Sequence, residues 1–279
     1  MLREYYRLAK PGIVYGNLLA AAAGYLYGAG ADADATLLAL MLLGLGLSIA
    51  SACVYNNILD RTLDSKMART KDRALPAGRI SPRDAEIFAS ILLLAGTAVL
   101  FVFTNPLTLL VLVFGFWMYL FVYTPLKTRS PHFTYAGALA GAVPPVIGYV
   151  TATATLDSTA LTLYLILCTW QMAHFYAIAI RRADEYKAGG VNVLPLRIGA
   201  RKTKWAIVAY IIAFCAASFT LPFTHRVGSI YFPAMTLVSL AWLLLGLFAL
   251  RSNDDVAAAK RLFLFSLVVL LTLCAALAI

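Results

Sequence analysis

Charge is scarce in this sequence. Only 13% of its 279 residues are charged, against about 25% in a soluble domain. With 62% apolar residues and a mean hydropathy of +0.81, too little polar side chain remains to cover a water-facing surface. An ordinary soluble enzyme and a disordered chain are excluded. Acids are the scarcer sign: 13 Asp and Glu stand against 23 Lys and Arg, a net charge of +10. A basic excess of this size suggests nucleic acid, but its placement, described next, points elsewhere, and no nucleic-acid partner is expected. Cysteine is limited to Cys53, Cys168, Cys215 and Cys274, all within apolar runs and with no C-x-x-C pair. That excludes a disulfide framework or zinc site and leaves four small buried hydrophobes.

What the chain does have is long apolar runs. A bilayer core about 30 Å thick needs roughly 20 apolar helical residues. Nine runs approach that length: 13–30, 37–55, 85–103, 107–123, 133–150, 161–180, 205–223, 230–250 and 262–279. The expected fold is therefore all-α, a single integral membrane domain over residues 1–279 built of about nine transmembrane helices. Pro144 and Pro145 fall inside the fifth run and predict a kink, which survives only against protein or a cavity. Of the 23 Lys and Arg, only Arg226 falls outside the N-terminus and the connections after the second, fourth, sixth and eighth runs. That bias puts the N-terminus in the cytoplasm and the C-terminus outside. The first run, with basic residues before it and small residues after it, resembles a signal peptide. Eight further spans in register with the charge bias make it a retained helix.

The outer connections (31–36, 104–106, 151–158 and 224–229) are short. Two inner ones, 60–84 and 181–204, are long and mix acids with bases. Long loops in a compact protein are disproportionately functional, so the site is expected beneath these two at the cytoplasmic end of the bundle. The second run leads into Asn56, Asp60 and Asp64, at i, i+4 and i+8, which share one helical face. Three stacked oxygen donors at a membrane boundary repel one another unless a cation sits between them. Hard carboxylate and amide oxygens suit Mg²⁺, whose shell substrate phosphates and water complete; a solvated helix end is the bland alternative. Arg69 and Arg73 follow, able to fork onto phosphate oxygens. Tyr123 and Lys127, again i and i+4, end the fourth run and can reach the same anion. Taken singly, each base also fits orientation charge or headgroup contact.

His174 lies about two turns inside the sixth run. An intramembrane histidine serves either as a helix–helix hydrogen-bonder or as a substrate contact. Asp184 or Glu185 could complete a metal shell from the second loop, and Asn17 is a further buried polar candidate. Apolar helices, an acid ladder and an arginine-rich lid together suit a lipid tail ending in diphosphate. Metal and arginine would neutralise the departing group, leaving an allylic cation shielded from water.

At these residues the chain resembles the UbiA-type intramembrane prenyltransferase superfamily, whose N-x-x-x-D-x-x-x-D signature matches Asn56, Asp60 and Asp64. Within it the likeness is to the protoheme IX farnesyltransferase (haem O synthase) branch. It is carried by Lys10-Pro11-Gly12-Ile13, Gly16-Asn17, Asn56 through Thr70, Gly137 through Gly148, Trp170 through Ile180, and Val193-Leu194-Pro195. The resemblance implies a nine-helix bundle that transfers farnesyl from farnesyl diphosphate to a vinyl group of haem b. Water then quenches the cation, giving haem O. It implies Asp60, Asp64 and His174 as catalytic residues, and Asn56, Asp60, Asp64 and Asp184 as Mg²⁺ ligands. Substrate contacts implied are Asn56, Arg69, Arg73, Tyr123, Lys127, Tyr176, Arg181 and Arg182. It further implies hand-off of the product to haem A synthase or a terminal oxidase, from the lipid bilayer of the cell membrane.

One departure matters. The superfamily's second acidic motif has two Asp four apart, but here Ile180 takes the first place and Asp184 the second. Haem-alkylating members tend to share this weak motif, and Arg181 and Arg182 would then meet haem propionates. Prenylation of an aromatic quinone precursor would require the full motif. A transporter with an intramembrane cation site would show internal repeats and mid-membrane polarity; here charge gathers at one face.

Overall fold

The computed structural model describes residues 1–224 and 227–279; Arg226, and with it part of the connection expected at 224–229, lies outside them. Among the described residues nine long helical segments account for the nine apolar runs. In chain order they are α1 (Pro11–Ala29), α2 (Ala35–Leu59), α3 (Pro82–Phe103), α4 (Pro106–Leu126) and α5 (Phe133–Thr153). The remaining four are α6 (Ser158–Arg181), α7 (Leu194–Thr224), α8 (Tyr231–Arg251) and α9 (Asp255–Ala278). Eight are long and apolar enough to cross a membrane. The exception is α1, whose 19 residues match the bilayer in length but include Asn17, three tyrosines and four glycines.

The helices begin where the sequence supplies caps. Asp34 accepts from the N–H groups of Thr36 and Leu37, Asp157 from Thr159 and Ala160, Ser81 from Asp84 and Asp254 from Ala257. Pro82 and Pro106 stand in first turns, where a missing N–H costs nothing. Several of the scarce acids are thus consumed at helix starts. Apolar side chains such as Phe101, Leu237 and Phe248 cover the outside, Leu237 remaining 75% exposed; on this chain that surface faces lipid.

Neighbouring segments pack α2 on α3, α6 on α7, α8 on α9, and α9 on both α6 and α1. The closest approach joins α1 and α5. A Cβ at Gly148 would run into the carbonyl of Ala21, and one at Gly24 into the backbone of Pro145, so here the two backbones touch directly. As the prolines predict, α5 is broken: a first part ends at Gly141 and a second starts at Val143, with a proline in its first turn. The break is buried. Helices α1, α2, α4, α5, α6 and α9 thereby ring a central cavity, with α3, α7 and α8 outside it.

The two long inner connections are folded caps. The first begins with a short helix, Arg61–Asp64, then continues in turns that bury Met67, Ala74, Leu75 and Ile80. Ala74, Leu75 and Ile80 pack with Leu8, Val54, Ala85 and Ala89. The second carries the helix Ala183–Gly189 and the first turns of α7, which bend at Gly199, where φ is 81°. Lys204, counted above with the orientation charges, is buried and pairs with Asp255 at 2.7 Å, tying α7 to α9.

Candidate active site

The four-residue register expected of the acid ladder is present in the backbone. Asp60 N–H donates to the Asn56 carbonyl at 2.9 Å, and Asp64 N–H to that of Asp60 at 2.7 Å. α2 runs past the apolar stretch to Leu59, so Asn56 lies in its last turn, 2% exposed. Each ladder residue meets a different cation from a different element. Asn56 Oδ1 accepts from Lys10 Nζ at 2.7 Å, while its Nδ2 donates to Thr124 Oγ1 at 3.0 Å. Asp60 pairs with Lys127 at the end of α4, both largely buried. Asp64 pairs with Arg73 Nη1 at 2.7 Å.

Three acceptors and three cations therefore alternate at one end of the bundle. Lys10 stands just before α1 in a left-handed conformation, φ 51°. Burial is the main force holding its ammonium down, to about 8, with the Lys127 and Arg73 charges adding to it; Asp60 works against the shift. Sequence reasoning counted Lys10 only as orientation charge and as part of a motif. The signal available was its place directly before Pro11, three residues ahead of the first apolar run.

Lys127 Nζ also lies 4.6 Å from the ring centroid of Tyr123. Tyr123 stacks on Tyr119 at 5.3 Å and 14°, within a π-helical turn formed by residues Met118–Tyr123. The π-helical turn closes where Thr124 sends both its N–H and its hydroxyl to the Tyr119 carbonyl. Both tyrosines line the cavity, which measures about 390 Å³ and descends past Cys53 toward Ala20, Leu45 and Ile147. Asn17 lines it too, with its amide donating back to Ile13.

The second loop reaches the first through Glu185. Its carboxylate binds Arg69 Nε at 3.1 Å and Arg182 Nη1 at 3.0 Å. Slight burial pushes the carboxyl upward, but the Arg69 and Arg182 contacts prevail and hold it below the ordinary value. Asp184, expected as the metal ligand, is instead exposed. One residue along a helix is a 100° turn, and it is Glu185 that faces the first loop. Arg181 lies with its guanidinium carbon 4.8 Å from the Phe263 ring centroid.

Tyr176, expected among the substrate contacts, packs edge-on against Tyr210 of α7 and does not line the cavity. It is two residues from His174, some 200° around α6. His174 does line the cavity, with Trp170, Gln171 and Phe175.

Among the described residues no group of three or more His, Cys, Asp or Glu converges. Two carboxylates and one amide are a donor set that suits Mg²⁺ when phosphate and water complete the shell. The fit has a geometric basis: each oxygen is already held by a cation within hydrogen-bond reach. An entering polyphosphate can draw those cations onto its own oxygens and free the ladder for a divalent ion.

The comparisons with known proteins agree with this architecture. The model of the UbiA prenyltransferase family matches residues 17–268. The protoheme IX farnesyltransferase of Sodalis glossinidius is 41% identical over 270 residues, covering 96% of this chain and 91% of that protein. A solved structure described as digeranylgeranylglyceryl phosphate synthase superposes with a TM-score of 0.80 at 19% identity, covering 99% and 98% of the two chains. A UbiA homologue from Archaeoglobus fulgidus bound to GPP and Mg²⁺ superposes at 0.71 with 16% identity, covering 99% and 100%. With most of its length matched by the family model and by a relative at 41% identity, this multi-pass membrane chain belongs to the UbiA prenyltransferase family.

Proposed function

We propose that this protein transfers a farnesyl group from farnesyl diphosphate to a vinyl group of haem b, giving haem O. The observation that carries the reading is a polar ladder about one helical turn beyond the lining of a deep apolar cavity, past Cys53 of α2 and Tyr123 of α4: Asn56, Asp60 and Asp64 interleaved with Lys10, Lys127 and Arg73. The relatives' activity supplies the choice of haem and farnesyl, and the Mg²⁺ and prenyl diphosphate of the Archaeoglobus homologue support the choice of metal.

In this reading Asn56, Asp60 and Asp64 hold Mg²⁺, which when bound would neutralise the diphosphate. Asp184 is left out, since it faces away. Lys10, Lys127 and Arg73 leave their ladder partners for phosphate oxygens, and Arg69 offers its Nη groups to the same anion while its Nε stays on Glu185. Their charges favour the departing diphosphate as the bond to the prenyl carbon weakens. The allylic cation that remains lies beside the faces of Tyr119 and Tyr123. That such a face accepts a cation here is visible in Lys127 over Tyr123. The vinyl carbon of haem attacks, a carbon–carbon bond forms, and water adds to the resulting porphyrin-side cation with loss of a proton. The Arg69–Glu185–Arg182 chain keeps the two caps closed over the cavity, so that bulk water does not reach the cation first. Arg181 and Arg182 meet the haem propionates.

The charge bias supports a site at the cytoplasmic face of the cell membrane, with haem O passing from there to haem A synthase or a terminal oxidase. Incubating membranes that contain the protein with haem b, farnesyl diphosphate and Mg²⁺, followed by mass analysis of the extracted haem, tests the reading. A hydroxyethylfarnesyl haem is the expected product; unaltered haem b would reject it.

A further inference from the structure

The diphosphate chemistry makes no use of His174, yet its ring is held more firmly than packing requires. It lies between Trp170, 4.8 Å away and 19° from parallel, and Phe263, 4.9 Å away. Its Nδ1 is 2.7 Å from Ser266 Oγ of α9, and Trp170 Nε1 donates to the Ser266 carbonyl at 2.8 Å. The tautomer follows from counting protons. Ser266 Oγ has one hydrogen and lies 2.6 Å from the Phe263 carbonyl, which can only accept. That hydrogen is spent there, so Oγ accepts from His174 and the proton sits on Nδ1. Nε2 then carries a lone pair, has no hydrogen-bond partner among the described residues, and belongs to a side chain lining the cavity. A neutral imidazole whose far nitrogen is pinned by a hydrogen bond is the arrangement by which proteins present histidine to a metal.

We propose that His174 Nε2 is the axial ligand that holds the iron of haem b during transfer, an inference that rests on the haem-farnesylation reading above. The lone pair of Nε2 forms a coordinate bond to iron, and no proton moves, because Nδ1 keeps its own. The surroundings suit a porphyrin. Facing α1 lines the cavity with Gly12 and Gly16, and a Cβ at either would meet nothing within 4 Å, leaving room for a flat ring. Arg181 is seven residues along α6 from His174, on the same helical face and about 10 Å away along the axis. Both pack against the ring of Phe263. Iron at His174 thus puts the propionates toward Arg181 and the vinyl-bearing remainder of the ring within the cavity that holds the prenyl cation.

Titration of the purified full-length protein in nanodiscs with ferric haem b, followed by absorption and electron paramagnetic resonance, reads the ligand directly. Wild type is expected to give an imidazole-ligated spectrum. His174→Ala is expected to lose it, to raise the KM for haem, and to recover both on addition of free imidazole. His174→Met, which supplies a thioether in place of imidazole, should give a shifted spectrum instead of none, so that collapse of the alanine variant does not decide the matter. An unchanged spectrum in both variants overturns the proposal, as does a His174→Ala protein that binds haem normally but stalls before water addition, which would make His174 a base. If wild-type protein makes the farnesylated haem while the variants keep the wild-type spectrum, the ligand assignment alone falls. If wild type yields no haem product at all, the functional reading falls with it.

Discussion

Asp60 and Lys127 show how much one side chain is asked to do at the membrane boundary. Their side chains are only 13% and 9% exposed, so neither charge has water to fall back on. Removing one partner of such a pair strands the other, at about 3–5 kcal/mol. Asp60→Ala should therefore abolish prenyl transfer and also lower the thermal midpoint in detergent. Adding Lys127→Met to it should recover most of the stability and none of the activity. If the double variant regains turnover, Asp60 has no role beyond neutralising Lys127. The pairing of Asp60 with a buried lysine is what gives its removal a structural cost besides a catalytic one.

Lys10 makes a pH-dependent case. Burial, followed by the nearby Lys127 and Arg73 charges, lowers its ammonium to about 8 from 10.5. Because the folded state holds this proton less tightly than the unfolded chain, the group's contribution to stability rises as pH climbs from about 8 toward 10.5, and its cost is fully present below about 8. Function runs the other way: above about 8 Lys10 loses the charge that would meet diphosphate. kcat/KM for the prenyl diphosphate, which reports the free enzyme, should fall as pH passes through about 8. Lys10→Arg should remove that limb, since arginine stays charged. A profile identical in the two proteins would separate Lys10 from substrate binding.

Among whole helices, α1 and α2 set the depth of the site. Cavity-lining residues along α2 run from Cys53 down to Leu45, eight residues or about 12 Å, and Ala20 of α1 lies near the floor. Nothing in the linear sequence marks Ala20 as a floor, because a small residue in an apolar helix is equally at home against lipid. Ala20→Phe should shorten the accepted tail, shifting preference from farnesyl toward geranyl diphosphate in a competition assay read by product mass, with the haem spectrum unaltered. Unchanged preference would move the floor elsewhere.

For the molecule as a whole, nine segments and a one-sided distribution of Lys and Arg predict opposite locations for the two termini. Reporter fusions after residue 279 should be active only outside the cytoplasm, and fusions before residue 1 only inside it. Both active on one side would mean that a segment fails to cross, and α1, the least apolar of the nine, is the one to suspect. Such a result would also move the ladder to the outer face, where the proposed site has no access to cytoplasmic diphosphate substrates.

What the linear order of residues determined about this protein is whatever depends on near neighbours. Apolar run length set most helix ends to within about four residues, although α7 and α9 start 11 and 7 residues before their runs, on polar turns; Pro144 and Pro145 set the break in α5, and the four-residue spacing set the backbone register of Asn56, Asp60 and Asp64. Each is a consequence of helical periodicity and bilayer thickness, and both act over one segment at a time. Other features waited on how one helix is rotated against another. Lys10 reaches Asn56 across 46 residues, Glu185 replaces Asp184 at the loop contact, Tyr176 turns away from the cavity, and Ser266, 92 residues on, sets the tautomer of His174. How each element is turned about its own axis decides these contacts. That is fixed by packing between elements, such as the close backbone contact of α1 with α5 and the packing of α9 on α6, sums over many weak interactions that leave no local pattern to read.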